Sequence, residues 1–264
     1  MDLKLKNKTA FISGSTAGIG YATAKTLLGE GAKVIINGRS NDSVEKALTR
    51  LRKDFPNGQV TGFPANFQKE DEVKTLCESL PELDILVNNI GIYKAASFFE
   101  MEDASWQEQF DINIMSGVRL SRYFLPKMLQ KNWGRIVFIS SECAELVPPD
   151  LLAYSMTKTA MVAIAKGLAQ LTKGTGVTVN SIVPGSTLSE GAKQFLKDEA
   201  EKSGKSEAAV EADFFKEIRT SSLIQRFASV DEVATTITYY CSPLASATNG
   251  ASIKVEGGST GGLI

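Results

Sequence analysis

Residues 8–20 read KTAFISGSTAGIG, and this stretch combines three features that decide the fold. Lys8 to Ser13 is a short apolar run with β-branched residues, which is typical of a buried strand. A turn patterned with Gly14, Gly18 and Gly20 follows, and an amphipathic stretch from Ile19 to Gly29 comes next. A strand, a glycine turn and a helix in direct succession predict a βα unit whose turn can seat a dinucleotide.

The same alternation continues along the chain. Six further apolar runs predict strands: Lys33 to Asn37, Gln59 to Ala65, Asp84 to Val87, Arg135 to Ser140, Gly176 to Val183 and Ala251 to Val255. Amphipathic stretches between them predict helices: Asp42 to Lys53, Glu70 to Ser79, Ser105 to Lys131 and Leu151 to Lys173. This order predicts an α/β fold in one domain of 264 residues, with a doubly wound parallel sheet and helices on both faces.

Two segments stand out from the alternation. Pro126 lies inside the stretch from Ser105 to Lys131, so we expect it to kink that helix or to end it early. Ser189 to Thr220 is charged and predicts a helical excursion with one apolar side, formed by Phe195, Leu196, Phe214, Phe215 and Ile218.

Charge and hydropathy exclude several partners. The formal net charge is -1 without a basic stripe, so nucleic acid is not expected to bind. No apolar run approaches the ~20 residues of a membrane span, and the start MDLKLKNKTA lacks the apolar stretch of a secretory signal. We therefore expect a cytoplasmic protein with a small-molecule partner.

The absence of histidine narrows the chemistry. It excludes Ser-His-Asp hydrolysis, Cys-His proteolysis and every metal site with a histidine ligand. The three cysteines are far apart in sequence, which argues against a disulfide framework or a clustered zinc site. No metal is therefore expected, and acid-base chemistry falls to Tyr, Lys, Asp, Glu or Cys.

Tyr154 and Lys158 form the outstanding acid-base pair, and twelve residues separate Ser141 from Tyr154. On a helix, positions four apart lie on the same face, so the phenol and the ammonium are expected side by side. Moving a tyrosine pKa from ~10 to about 7 requires about 4 kcal/mol. One ammonium at about 5 Å supplies about 3 kcal/mol at an effective dielectric near 20. Lys158 alone therefore falls short, and we expect the positive ring of an oxidised nicotinamide to supply the rest.

The glycine turn is expected to bind the pyrophosphate of a dinucleotide, because free N–H groups at a helix start face an anion. The candidate contacts are Gly14, Ser15, Thr16, Gly18, Ile19 and Gly20. An ordinary glycine-rich βα turn is the alternative. Arg39 follows the second strand, where no acid stands, and we expect it to pair with the 2'-phosphate of NADP, helped by Ser40 or Ser15. A solvated surface arginine is the alternative there, so NADP is expected and NAD stays open.

Several motifs in fixed order carry a family resemblance: SGSTAGIG, NNIG at 88–91, Asn113, Ser141, YSMTK at 154–158 and Pro184-Gly185. With these motifs the chain resembles the short-chain dehydrogenase/reductase family, in its single-domain branch, over nearly its whole length. The resemblance implies a Rossmann-type sheet and an NAD(P)-dependent oxidoreductase that transfers hydride between the cofactor and a ketone or secondary alcohol. The chain resembles members of the 3-oxoacyl carrier-protein reductase type, and this resemblance alone suggests a 3-oxoacyl substrate.

The resemblance also implies a catalytic tetrad. Tyr154 would exchange the proton with the substrate oxygen, and Ser141 would hydrogen-bond the same oxygen, as donors aimed at developing charge do. Lys158 would hold the nicotinamide ribose and favour phenolate. Asn113 would hold a water that relays protons, although a buried core amide is the alternative for this residue.

Further cofactor contacts follow from the resemblance alone. They are Asn66 beside the adenine, Asn88 and Gly91 after the fourth strand, and Pro184, Gly185 and Thr187 near the nicotinamide and phosphates. The chain departs from the family pattern with Ile90 in place of alanine and Asn66 in place of aspartate.

The segment from Ser189 to Thr220 resembles the family's substrate lid, and its aromatic residues are expected to cover an apolar ligand near Leu146, Pro148, Leu151 and Leu152. An oligomer contact explains the same residues. The long helices from Ser105 and Leu151 resemble those of the family's interfaces, which implies a homo-oligomer, with a tetramer expected. A dinucleotide-binding regulator or scaffold without turnover is the alternative function.

Overall fold

Seven parallel strands form one sheet in the computed structural model, which describes residues 1–262. All seven lie where the sequence predicts strands: β1 (Thr9–Ile12), β2 (Lys33–Gly38), β3 (Val60–Pro64), β4 (Ile85–Asn88), β5 (Gly134–Ile139), β6 (Val177–Pro184) and, last in the chain, β9 (Ser252–Val255). Two short strands, β7 (Thr187–Leu188) and β8 (Ala228–Ser229), pair with each other outside this sheet. The predicted α/β fold is confirmed. The last two residues of the predicted domain, 263 and 264, lie outside the described residues.

Helices cover both faces of the sheet. They are α1 (Gly18–Gly29), α2 (Asn41–Asp54), α3 (Glu70–Ser79), α4 (Asp103–Gln109), α5 (Ser116–Gln130), α6 (Cys143–Leu146), α7 (Leu152–Leu171), α8 (Glu190–Ser203), α9 (Glu207–Glu217) and α10 (Val230–Tyr240). The sequence reading missed α10, although Ser229 and Glu232 form a capping box at its start.

The strand order is β3-β2-β1-β4-β5-β6-β9. The chain moves outward from β1 to β3 and then crosses back to β4, so the direction reverses between β1 and β4. In open parallel sheets a ligand crevice lies at such a reversal, beyond the carboxyl ends of the strands. The turns that follow β1 and β4 therefore meet at the expected ligand site.

Alternate strand residues build a separate apolar core on each face. Ile12, Ile36 and Val87 belong to one buried cluster, whereas their neighbours in sequence, such as Phe11 and Leu86, belong to the other. Because successive side chains of a strand point to opposite faces, a sheet covered on both sides needs continuous apolar runs. This requirement explains why apolar runs in the sequence predict these strands.

The long helical stretch is interrupted at a different place from the one predicted. Pro126 lies inside α5, and the helix continues to Gln130, so the expected early end is wrong. Pro126 and Arg122, whose carbonyl loses its helical donor, are both exposed, and water can satisfy that carbonyl. The interruption is a π-helical segment, Phe110–Met115, which joins α4 to α5.

Residues 189–220 form the predicted helical excursion, built from α8 and α9. Its apolar side packs into a third, smaller buried cluster of Leu196, Val210, Phe215 and Phe227. None of the helices within residues 1–262 is long and apolar enough to cross a bilayer.

Candidate active site

A cleft of about 630 Å³ opens beyond the carboxyl ends of β1, β4, β5 and β6. Eight of the predicted site residues line it: Ile19, Gly91, Ser141, Tyr154, Lys158, Pro184, Gly185 and Thr187. They come from segments far apart in sequence. The structure thus brings the predicted acid-base pair to the strand-order reversal, next to the glycine turn.

The glycine turn owes its shape to side chains from neighbouring strands. Asn89, after β4, donates from Nδ2 to the carbonyls of Ser13 at 3.0 Å and Gly14 at 2.9 Å. Asn37, in β2, accepts from the Gly14 N–H at 3.1 Å. A Cβ at Gly20 would lie only 2.6 Å from Asn89 Nδ2 and from the Gly14 carbonyl. Glycine is therefore required at position 20 for helix and turn to pack this closely.

Ser15 and Thr16 make hydrogen bonds within the protein that support the turn. The Ser15 hydroxyl is buried, donates to the Ile12 carbonyl at 2.7 Å and accepts from Asn37 N–H at 2.9 Å. Ser15 consequently has no exposed atom to offer Arg39, contrary to the expected cooperation. The carbonyl of Thr16 accepts from Arg50 Nη2 at 2.7 Å.

An acidic side chain of the chain itself occupies a donor at the start of α1. The Gly18 N–H donates to Glu190 Oε2 at 2.9 Å, and Ala17, the N-cap, provides no side-chain cap. The first N–H groups of a helix lack intrahelical partners and favour negative charge. Glu190 shows that an anion fits where the pyrophosphate was predicted, and the sequence reading missed this residue.

Tyr154 and Lys158 lie side by side on α7, as their spacing predicts. Lys158 Nζ is 5.4 Å from the centroid of the Tyr154 ring. The lysine side chain is nearly enclosed, with 3% exposure, and donates to the Ile139 carbonyl at 2.8 Å. A Cβ at Gly91 would be 3.1 Å from Nζ, so the missing side chain at 91 leaves room for the ammonium.

Burial shifts the pKa values of this pair in opposite directions. It raises the pKa of Tyr154 above its usual range, against a smaller lowering from the Ser141 hydroxyl beside it. It lowers the pKa of Lys158 to about 8. In the protein without cofactor, the phenol is therefore protonated at neutral pH and able to donate a proton.

The adjacent serines have different surroundings. Ser140 is buried and its hydroxyl donates to the Lys158 carbonyl at 2.8 Å. Ser141 lines the cleft half-buried, and its hydroxyl accepts from Cys143 N–H at 3.2 Å while keeping its own proton free to donate. This arrangement favours Ser141 as the donor to a substrate oxygen.

Asn113 is fully buried in the π-helical segment and does not line the cleft. Its Nδ2 donates to the Ile92 carbonyl and to Thr157 Oγ1, both at 2.9 Å, and its Oδ1 accepts from Ile92 N–H at 2.8 Å. The amide thus ties the segment after β4 to α7. These partners satisfy it as a core amide, and the water relay stays a prediction. Asn88 is also buried and donates to Ser121 Oγ at 3.1 Å.

Arg39 and Asn66 lie outside the lining of the cleft. Arg39 is exposed at the end of β2, and its guanidinium makes no hydrogen bond or ion pair with the rest of residues 1–262. Ser40 beside it caps α2. The side-chain oxygen of Asn66 accepts from Gln68 N–H at 3.1 Å, which leaves one of its lone pairs free.

A buried ion pair that the sequence reading missed lies at the substrate side of the cleft. Glu142, directly after Ser141, accepts at Oε1 from Arg219 Nε and from Ser186 Oγ, both at 3.0 Å. Glu142 had a local signal in the sequence, because it is an acidic residue directly after the predicted Ser141. Arg219 follows α9 in a charged segment, where no local signal distinguishes it.

Apolar residues of the excursion line the same cleft. Phe195, Phe214 and Ile218 line one side, and Tyr93 lines the other, in edge-to-face contact with Tyr154 at 5.9 Å. Of the four residues expected near an apolar ligand, Leu151 lines the cleft, whereas Leu146, Pro148 and Leu152 lie outside its lining, and their nearness to a ligand stays a prediction. Leu151 precedes α7 in a 3-10 turn, which directs the chain past the cleft.

Within residues 1–262 no group of three or more His, Cys, Asp or Glu side chains could hold a metal ion. The cysteines Cys77, Cys143 and Cys241 are all free and buried. Burial raises the pKa of the Cys143 thiol, which keeps the residue nearest the site protonated.

Known proteins match the chain along most of its length. A family model described as short chain dehydrogenase matches residues 8–200. An uncharacterized oxidoreductase of Bacillus subtilis (strain 168), YvrD, is 45% identical over 261 residues, with 98% of both chains covered. A 3-oxoacyl-(acyl-carrier-protein) reductase of Aquifex aeolicus (strain VF5) is 30% identical over 269 residues, covering 98% of this chain and 99% of the other. The crystal structure of L-sorbose reductase from Gluconobacter frateurii, complexed with NADPH and L-sorbose, has a TM-score of 0.93 at 29% identity, with 100% of both chains covered.

Proposed function

The chain belongs to the short-chain dehydrogenase family, and from this premise we propose that it reduces a ketone to a secondary alcohol with NADPH. It is an oxidoreductase. The proposal is supported above all by one observation: Ser141, Tyr154 and Lys158 line a single cleft at the strand-order reversal, beside the glycine turn.

The residues of the glycine turn fit a dinucleotide. The Gly18 N–H already binds a carboxylate, so a pyrophosphate oxygen meets a donor there. Gly14, Thr16, Gly18, Ile19 and Gly20 would hold the pyrophosphate with Ser15 supporting them from inside. Asn88, Gly91, Pro184, Gly185 and Thr187 would border the nicotinamide half, and Asn66 the adenine.

The chain's own side chains would supply the proton transfer. The nicotinamide supplies the hydride when bound. Ser141 would hydrogen-bond the carbonyl oxygen and stabilise the negative charge that develops on it. Tyr154, kept protonated by burial, would donate its proton to that oxygen, and the Lys158 ammonium would stabilise the phenolate left behind. With a pKa of about 8, Lys158 is mostly charged at neutral pH.

The main test is NADPH oxidation, followed by absorbance, with a panel of ketones. The panel includes a 3-oxoacyl thioester and L-sorbose, the kinds of substrate named for the Aquifex and Gluconobacter relatives. We expect Tyr154→Phe to lose at least about a hundredfold in kcat, the low end of general acid catalysis. Tyr239→Phe, which alters an exposed tyrosine of α10, is the matched control and should keep full activity. Absence of Tyr154-dependent turnover across the panel would overturn the proposal in favour of a non-catalytic regulator.

NADP is the proposed cofactor, with NAD as the second choice. Arg39 supports this choice, because its guanidinium, which has no partner within residues 1–262, lies just after β2, where the adenine ribose would lie. Arg39→Ala should raise the Kd for NADPH by about tenfold or more, the effect of one lost hydrogen bond between charged groups. The Kd for NADH should change little. Arg52→Ala, another exposed arginine, serves as control, and equal losses for both cofactors would contradict the assignment.

We also propose that residues 189–220 act as a substrate lid and that the protein is a cytoplasmic homotetramer. The lid is supported by Phe195, Phe214 and Ile218, which line the cleft from this segment. The tetramer rests on the resemblance of the helices around α5 and α7 to family interfaces. Light scattering on the purified protein tests it, and a monomeric mass would refute it.

A further inference from the structure

Glu142, Ser186 and Arg219 form a hydrogen-bonded group, here named the Glu142 cluster, inside the cleft that contains Ser141 and Tyr154. Glu142 follows Ser141 directly, Ser186 follows β6, and Arg219 follows α9. The cluster therefore joins the catalytic loop, the sheet and the excursion around the place where a substrate would bind.

The carboxylate of Glu142 is only partly satisfied. The residue is 3% exposed, and burial of a charged group is costly unless its oxygens receive hydrogen bonds. Oε1 receives two, but Oε2 has no hydrogen-bond partner among residues 1–262. A Cβ on Gly185 would lie 2.9 Å from Oε2 and closer still to the Glu256 backbone, so position 185 has no room for a side chain and the backbone of this cleft residue lies beside the oxygen. Buried acceptors nearly always have donors, so Oε2 points to a donor brought by a ligand.

Arg219 offers the complementary groups. Arg219 donates from Nε to Glu142 at 3.0 Å, and within residues 1–262 its guanidinium makes one other hydrogen bond, a long one from Nη1 to the adjacent Ile218 carbonyl at 3.5 Å. Its Nη2 makes no hydrogen bond within residues 1–262. The cluster thus presents an acceptor from Glu142 beside donors from Arg219. A hydroxyl group both donates and accepts, and so it matches this pair.

Charge at this side of the cleft argues against an anionic substrate. Glu142 and Arg219 neutralise each other, and Asp150 adds a further negative charge to the lining. Lys158, mostly charged at neutral pH, balances Asp150 in the lining, so a carboxylate or phosphate finds no surplus positive charge, whereas a neutral hydroxyl group needs none. The aromatic residues Phe195 and Phe214 leave apolar surface for the carbon skeleton.

We propose that the Glu142 cluster recognises a hydroxyl group next to the reacting carbonyl, so that hydroxyketones, ketoses among them, are the substrate class. This inference rests on the proposed ketone reduction. Glu142 accepts from the hydroxyl at Oε2, and Arg219 donates to the hydroxyl oxygen. A ketone without that donor leaves Oε2 buried and unpaired, which penalises its binding.

Two isomeric probes isolate the donor. 1-Hydroxy-2-butanone carries a hydroxyl beside its carbonyl, whereas methoxyacetone has the same atoms with an ether oxygen that accepts but cannot donate. We expect the wild-type kcat/KM with NADPH to favour the hydroxyketone by at least about tenfold, the low end for a hydrogen bond to a charged group. 2-Butanone, without the second oxygen, should also react at least about tenfold less efficiently.

The variant Glu142→Gln changes the chemistry at one atom. Its amide oxygen can keep the bonds from Ser186 and Arg219, and its NH2 then replaces the acceptor Oε2 with a donor. The ratio between the two isomers should fall to near one or reverse, an outcome that a purely structural role of Glu142 would not produce. Glu145→Gln, which alters an exposed glutamate paired with Lys254 outside the cleft, should keep the wild-type ratio.

The outcomes separate the two proposals. Turnover without preference for the hydroxyketone, or a preference that survives in Glu142→Gln, would overturn the hydroxyl assignment and leave the ketone reductase standing. Absence of turnover with every ketone would overturn the reductase itself. If Glu142→Gln does not fold, the ratio of kcat/KM for 1-hydroxy-2-butanone to that for 2-butanone is measured on Arg219→Met, which removes the donor to the hydroxyl oxygen. A ratio smaller than that of the wild type supports the cluster, and an unchanged ratio refutes it.

Discussion

Replacing Lys158 by methionine is expected to stabilise the protein at neutral pH while removing its activity. Lys158 is enclosed, and burial lowers its pKa from 10.5 to about 8. At about 1.36 kcal/mol per pKa unit, keeping this side chain charged costs about 3 kcal/mol of folding free energy. The variant loses the hydrogen bond to the Ile139 carbonyl, worth about 1 kcal/mol, so the expected net gain is about 2 kcal/mol.

The pKa shift of Lys158 also predicts how the stability difference between the variant and the wild type changes with pH. Below pH 8 the lysine is charged in both the folded and the unfolded chain, and the full cost is present. Between pH 8 and 10.5 the unfolded chain binds more protons than the folded one, so wild-type stability rises with pH in this window. Lys158→Met has no such rise, and its advantage should therefore shrink towards pH 10.5.

The assay is urea unfolding, followed by tryptophan fluorescence, at several pH values across that window. Lys166→Met, an exposed lysine of the same helix, is the matched control and should show no pH-dependent difference from wild type. A Lys158→Met variant less stable than wild type at neutral pH would refute the reasoning. So would a stability difference that stays constant as the pH rises.

Two further substitutions probe the glycine turn and the position of the ammonium. Glu190→Gln removes the carboxylate that competes for the Gly18 N–H, and the Kd for NADPH should fall by about fivefold, the worth of about 1 kcal/mol; an unchanged Kd in a fluorescence titration would show that Glu190 does not compete. Gly91→Ala places a Cβ 3.1 Å from Lys158 Nζ and should lower kcat by about tenfold or more, because small misplacements of reacting groups are costly. Gly167→Ala, where a Cβ meets nothing within 4 Å, is its control in steady-state kinetics, and equal activity of the two variants would contradict the positioning of Lys158 by Gly91.

The sequence predicted the sheet well because its signal is local. A parallel strand buried on both faces is a nearly continuous apolar run, and β5 and β6 are buried at every position, with polar side chains such as Arg135 and Asn180 hydrogen-bonded inside. The helix signals were weaker. Pro126 predicted an early helix end, but the helix continues because water can satisfy the exposed carbonyl that loses its donor. The π-helical segment at Phe110–Met115 has no comparable signal in the sequence. The capping box at the start of α10, in contrast, is a local signal that the sequence carries.

Site residues that pair within one element were predictable from the sequence, whereas pairs between distant segments were not. Tyr154 and Lys158 are one helical turn apart, so spacing alone predicted their contact. Arg219 meets Glu142 across 77 positions, and Glu190 meets Gly18 across 172. Such pairs depend on how the excursion folds back over the sheet, which residue patterns within one element do not encode. The residues that distinguish this cleft from an ordinary one are therefore those that the sequence did not reveal.

The bonds from Asn37 and Asn89 to the glycine turn have a consequence for protein engineering. The loop after β1 is braced from β2 on one side and from the segment after β4 on the other, so its shape belongs to three neighbouring strands together. Transplanting residues 13–20 alone into another parallel sheet would transfer the glycines without their braces. A graft that also carries both asparagines is the smallest unit that keeps the loop in its present form.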